Sequence, residues 1–190
     1  PLDFTPGAPD YVHRNYTNFG YLLLGMVIEQ ATLTDYTKYV QMEIMAQLGV
    51  SASDFKTAAT PLLEHDAREP IYLFAEMCPS VFANRMALCS EEGADLKNWV
   101  APGGIITTAR AMALFAQDYR LPPDYGSGYG VIGEPLGSAT YSGSHGGSGP
   151  GTSTMVRQLP SGVSYAVFLN ASYDIEPKLA ELDRVSQLAP

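Results

Sequence analysis

Apolar residues at Phe19, Leu22, Leu23, Met26 and Val27 recur at the spacing of one helical face, and Leu24 and Ile28 widen it. The pattern predicts a helix over residues 19–31, with an apolar face broad enough that burial on most sides is expected. Thr17 and Asn18 are its candidate caps. A second helix is predicted over residues 35–48, with Thr34 as cap and Gly49 as its end. Tyr36, Tyr39, Val40, Ile44 and Leu48 form its inward stripe, while Lys38, Gln41 and Glu43 face outward. The short connection makes the pair a helical hairpin.

Residues 50–70 loosen into polar and proline-containing segments, after which "IYLFAEM" reads as a short strand. In "WVAPGGIITT", Thr108 can cap a helix over residues 109–119, buried through Met112, Phe115 and Ala116 and ended by "LPPDYGSG". Past Gly128 the pattern changes to short β-branched and aromatic segments, "YGVIG", "SATYSG", "TSTMVRQL" and "VSYAVFLN", separated by turn residues. "LPSGV" reads as the hairpin turn between the last two. Pro177 then opens a closing helix carrying Leu179, Leu182 and Val185 on one side. The expected fold class is α+β, with antiparallel strands flanked by helices in one domain. Its first part, about 1–125, is mainly helical, and about 126–190 holds the strands and closing helix.

Composition narrows the function. With 190 residues, 46% of them apolar and 16% charged, the chain can bury one real core. A net charge of -9 argues against a nucleic-acid partner. The longest apolar run, "YLLLGMVI", is far short of the roughly 20 residues of a membrane span. There is no Cys/His spacing for a metal and no cofactor motif. The chain opens on Pro1 without an initiator Met or signal peptide, which reads as a processed product or a piece of something longer. Cys78 and Cys89 lie close in sequence. Either they form a disulfide, worth about 3 kcal/mol and pointing to an oxidising compartment, or they are two ordinary buried thiols.

Three places concentrate chemistry-bearing residues. Tyr16 and Asn18 flank Thr17 at a helix entrance. A tyrosine can exchange protons and an asparagine can bind a polar substrate, but cap and packing account for them equally on local grounds. The glycine pair Gly103-Gly104 before a helix could admit an anion or serve a tight turn; no Lys-Ser or Lys-Thr follows, so it is not a phosphate loop. In "SGSHGGSGPG", His145 ends a strand, and the glycines after it could let a ligand approach backbone N–H groups. A glycine-rich hairpin with an incidental histidine is the alternative.

The stretch from Phe4 to Gly49 resembles the serine β-lactamase-like family, which includes class C β-lactamases, D-Ala-D-Ala peptidases and related esterases. The resemblance rests on Pro6-Gly7, the Tyr-x-Asn of Tyr16 to Asn18, Gly20-Tyr21 and Leu48-Gly49, in that order. "APGGIITTARAMALFAQ" and "YSGSHGGSGPGTSTMVRQLPSGVSYAVFLN" resemble the family's Gly-Gly segment and its third motif with the last two strands. The resemblance implies that Tyr16 exchanges a proton with a serine nucleophile and the leaving group, and that Asn18 hydrogen-bonds the substrate's acyl side chain. His145-Gly146-Gly147 occupy the place of a Lys-Thr-Gly motif, and the Ser148 backbone N–H would be an oxyanion donor. Histidine at 145 resembles the His-x-Gly form of the family's peptidases and esterases more than its β-lactamases.

One departure is larger. The family nucleophile is the serine of a Ser-x-x-Lys upstream of Tyr-x-Asn, and the fifteen residues before Tyr16 contain no serine. Ser53-Asp54-Phe55-Lys56 has the right letters, but it follows Tyr-x-Asn in a predicted loop and is read as coincidence. The expectation is therefore the C-terminal part of a serine hydrolase, inactive alone, whose substrate is a small molecule or peptide with an acyl group. The rival is a cleft-bearing binding module, or one half of a two-chain assembly. The family's first strands would also be missing, leaving an open sheet edge to be hidden by the N-terminal part or by self-association. The resemblance and the cysteine pair point to the periplasm or the extracellular space.

Overall fold

The computed structural model describes residues 17–58, 65–73, 76–121 and 143–186. Helices α1 (Asn18–Thr32) and α2 (Tyr36–Val40) lead into β1 (Phe55–Thr57), the hairpin strands β2 (Met77–Pro79) and β3 (Met86–Leu88), and α3 (Cys89–Glu92). Then come α4 (Val100–Gly103), β4 (Ile105–Thr107), α5 (Ala109–Asp118), the strands β5 (Gly143–Gly149), β6 (Thr152–Gln158) and β7 (Ser164–Leu169), and α6 (Leu179–Ser186). The mixture of helices with antiparallel strands is the α+β class expected. "YGVIG" and nearly all of "SATYSG" lie outside the described residues.

Thr17 caps α1: its backbone is extended and its hydroxyl accepts the Phe19 N–H at 3.2 Å. The helix ends where Leu33 turns left-handed at φ 53°. Its packed face is built on Gly25, where an added Cβ would lie 2.6 Å from the Ala101 Cβ on α4. The predicted burial of the apolar stripe does not hold. Phe19, Leu23, Leu24, Met26 and Val27 are 45% to 61% exposed, because α1 meets its neighbours through the glycine face and turns the stripe away. Periodicity recorded an apolar surface but not which side of it would be covered.

Asp35, not Thr34, caps α2, accepting the Lys38 N–H at 3.1 Å while the Thr34 hydroxyl donates to the Thr32 carbonyl. The helix then widens into a π turn over Gln41–Met45. The Ala46 N–H reaches back to the Gln41 carbonyl at 2.8 Å, and the chain leaves through Gly49 at φ 73°. Met45 is thereby placed inward at 1% exposure. With Val50, Phe55 and Ala111 it centres one core cluster, into which Val40, Ile44 and Leu48 of the predicted stripe pack. A second cluster joins Ala116, Leu121 and Val156, and Phe115 packs against both.

Among the described residues the three sheets are antiparallel: β1 with β4, β2 with β3, and the meander β5-β6-β7. "IYLFAEM" is not one strand; Leu73 makes a single parallel bridge to Ala171, and Met77 opens β2. Thr108 caps α5 as predicted, accepting the Ala111 N–H at 3.1 Å, and the helix lies on β6 and β7. Gln158 on β6 closes its far end. The Gln158 amide donates to the carbonyls of Ala116 and Tyr119 and accepts the Leu121 N–H at 2.8 Å. Arg157 holds α6 through paired hydrogen bonds to Asp183 at 2.9 Å, and the Tyr165 hydroxyl donates to the same carboxylate.

Candidate active site

Four of the seven residues of β5 are glycine, and His145, Gly146, Gly147 and Ser148 stand in sequence along it, all exposed. Within the described sheet β5 is an edge strand. His145 does not end a strand as expected; it is the third residue of one that runs on to Gly149. It pairs with Val156, and Ser148 pairs with Ser153. The glycines keep the face flat. A Cβ on Gly147 would come 2.9 Å from the Thr154 hydroxyl oxygen, and one on Gly146 would come 3.3 Å from the Met155 methyl. Backbone donors on such a strand can be approached by a ligand without side chains intervening.

Beyond Ser148 lies an open depression of about 520 Å³, lined by Ser148, Gly149, Ser153, Ser172, Tyr173 and Asp174 among others. Ser172 fixes its rim: the hydroxyl accepts the Gly151 N–H at 3.1 Å and donates to the Gly149 carbonyl at 3.4 Å. Ser153 fixes its floor, buried and accepting the Tyr173 N–H at 2.8 Å. The Asp174 carboxylate accepts the Glu176 N–H at 3.1 Å. Nothing in the sequence pointed to Ser172 or Asp174; a polar run after a strand carries no periodic signal, and only the fold brings it beside Ser148.

Asn18 is the first residue of α1 and is exposed there. Tyr16 lies outside the described residues. The structure thus gathers His145, Gly146, Gly147 and Ser148 on one strand and sets Asn18 at a helix entrance. Gly104 has a packing role, since a Cβ there would fall 2.2 Å from the Leu96 carbonyl oxygen. The N-terminus of α5 beyond the glycine pair is occupied by its own Thr108 cap.

Ser53 and Lys56 do not form a nucleophile pair. Ser53 sits in a single 3-10 turn with its hydroxyl donating to Asp54 at 3.3 Å, and Lys56 on β1 is ion-paired to Asp66. Arg68, and after it Lys56, hold the Asp66 carboxyl well below the usual carboxylate range. No group of three metal-ligating side chains occurs among the described residues, and no described helix is long and apolar enough to cross a membrane.

The sequence model of the Beta-lactamase family matches residues 1–189. Among solved structures, a D-stereospecific amidohydrolase from Streptomyces sp. is 24% identical, with a TM-score of 0.56 over 89% of this chain and 52% of that one. SurE is 22% identical, with a TM-score of 0.53 over 87% of this chain and 42% of that one. SurE with D-Leu gives 22% and 0.51 over 87% and 41%. The chain therefore spans about half the length, or less, of the structures it resembles. Comparison with curated proteins returned no match.

Proposed function

The chain belongs to the beta-lactamase family, and from that premise we propose that it is the C-terminal part of a serine hydrolase whose nucleophile lies outside these 190 residues. The serine would attack the carbonyl of an amide or ester, expel the amine or alcohol, and be released by water from the acyl-enzyme. Tyr16 would take the serine proton and pass one to the leaving group. The Ser148 N–H would stabilise the oxyanion, while Asn18, His145, Gly146 and Gly147 position the substrate. The observation that carries this reading is the exposed, glycine-flattened run from His145 to Ser148 on one strand. Amides of D-configured residues are the first substrates to try, since the structures of similar fold include a D-stereospecific amidohydrolase and one holding D-Leu.

The exposed stripe of α1 favours a second element of the same reading: a site completed by another polypeptide segment lying over Phe19, Leu23, Met26 and Val27. That segment would cover the helix whose first residue is Asn18, and so bring its groups to the Tyr16–Asn18 entrance.

The test is fluorophosphonate labelling of the chain alone and of the chain together with the polypeptide encoded ahead of it, with the adduct located by mass spectrometry. The expected adduct is on a serine of the other polypeptide, with none on the chain alone. Replacing Tyr16 by Phe should slow labelling on the order of 100-fold. An adduct on Ser53 would overturn the proposal, and so would unchanged labelling of the Tyr16→Phe protein.

A further inference from the structure

We propose that Cys78 and Cys89 are a dithiol pair that closes to a disulfide under oxidising conditions, clasping the β2–β3 hairpin to α3. Cys78 pairs with Ala87 across the hairpin, and the Cys89 N–H donates to the Glu76 carbonyl at 2.9 Å just beyond the ladder. Residues 78, 87 and 89 thus share one face, and Cys78 and Cys89 are diagonal neighbours on it. Gly93 sets how close they come. A Cβ built on Gly93 would lie 3.1 Å from the Cys78 sulfur and 3.1 Å from the Cys89 Cα, so those two atoms are at most about 6 Å apart. Both thiols are free. The Cys78 thiol beside it, and then desolvation, push the Cys89 thiol up to about 11.

The surroundings are already fixed for closure. Glu92 on α3 grips the hairpin loop, accepting the Ser80 hydroxyl at 2.5 Å, pairing with Arg85, and receiving the Val81 N–H on its backbone carbonyl at 3.0 Å. A Cβ on Gly93 would also fall 2.6 Å from the Cys89 carbonyl oxygen, so this close return of the chain past α3 suits glycine. The sulfur bond would therefore add a covalent tie between two pieces that non-covalent contacts already hold in place.

The oxidant is a small-molecule disulfide such as glutathione disulfide. One cysteine thiolate attacks it, forming a mixed disulfide and expelling one glutathione thiolate. The second cysteine, deprotonated in turn, attacks the protein sulfur of that mixed disulfide, forming the Cys78–Cys89 bond and expelling the second glutathione. Two electrons pass from the protein to glutathione disulfide, and the two thiol protons end on the released glutathiones.

The experiment treats the chain with glutathione disulfide, blocks remaining thiols with iodoacetamide and cuts with trypsin, which cleaves after Arg85 between the two cysteines. The expected product is a pair of peptides, one holding Cys78 and the other Cys89, that stay joined until reductant is added. The untreated, reduced chain should take two alkyl groups. In Cys78→Ser and Cys89→Ser chains the remaining cysteine should keep its glutathione and no joined peptides should form. Stable glutathione on both cysteines of the unmodified sequence, two alkylated thiols after oxidation, or sulfur-linked dimers would each overturn the proposal.

Discussion

Helices α1 and α5 begin alike and end differently. Each opens on a threonine whose hydroxyl accepts a first-turn N–H, Thr17 for α1 and Thr108 for α5. The more apolar helix is the more exposed one. α1 presents Phe19, Leu23, Leu24, Met26 and Val27 to the outside and buries only Gly25, whereas α5 buries Ala111 and Ala116 completely. What differs is the partner. α5 has a sheet beneath it and Gln158 closing its end, and α1 has the short helices α2 and α4 against its glycine face. Apolar surface contributes to stability only where something else removes it from water.

Two methionines should break the comparison most sharply. Met45 lies in the cluster beneath α5 at 1% exposure and Met26 lies on the α1 stripe. Met45→Ala should cost about 2–5 kcal/mol in urea unfolding. Met26→Ala should cost no more than about 0.5 kcal/mol in this chain. Equal losses would mean that the α1 stripe is covered within these 190 residues. Next comes the end of α5: Gln158→Ala removes the side-chain acceptor of the Leu121 N–H and the amide donor to the Tyr119 and Ala116 carbonyls, the latter keeping the Ser164 hydroxyl, and a loss of about 1–3 kcal/mol is expected. Smaller still, Thr108→Ala should cost about 1 kcal/mol by the same measurement.

The smallest effect concerns charge instead of burial. Asp66 is held ionised by Arg68 and Lys56, Asp54 by Arg68, and Glu92 by the Ser80 hydroxyl and then Arg85, all below the ordinary carboxylate range. A carboxylate with a depressed folded-state pKa stabilises the fold above its unfolded value, near about 4, and that contribution is lost as pH falls toward the folded value. The urea midpoint should therefore drop on acidification below that range, and Arg68→Ala should make the drop shallower. An acid limb left unchanged by Arg68→Ala would remove these ion pairs from the account.

Local features were legible in the sequence: the α1 repeat, the Thr17 and Thr108 caps, Gly49 past the second helix, and the "LPSGV" turn with Gly162 at φ 86°. Each follows from a few adjacent residues. Pairings distant in sequence were not legible, such as Phe55 with Thr107, or Leu73 with Ala171, because nothing in "FKT" names its partner. The π turn also escaped, since one extra residue in a turn leaves the apolar spacing nearly unchanged. The candidate site divides the same way. The run from His145 to Ser148 could be picked out as letters, whereas Asp174 and Ser172 became neighbours of Ser148 only through the return of the chain after β7.

The glycine content of β5 has a consequence for where the site is encoded. A strand with few side chains has little to resist sliding along its neighbour, because register depends on side chains that must fall on the correct face. The alignment that sets Ser148 opposite Ser153 and His145 opposite Val156 is therefore written on β6, whose Ser153, Met155, Val156 and Gln158 are buried. β5 holds the candidate site, and its neighbour holds the address.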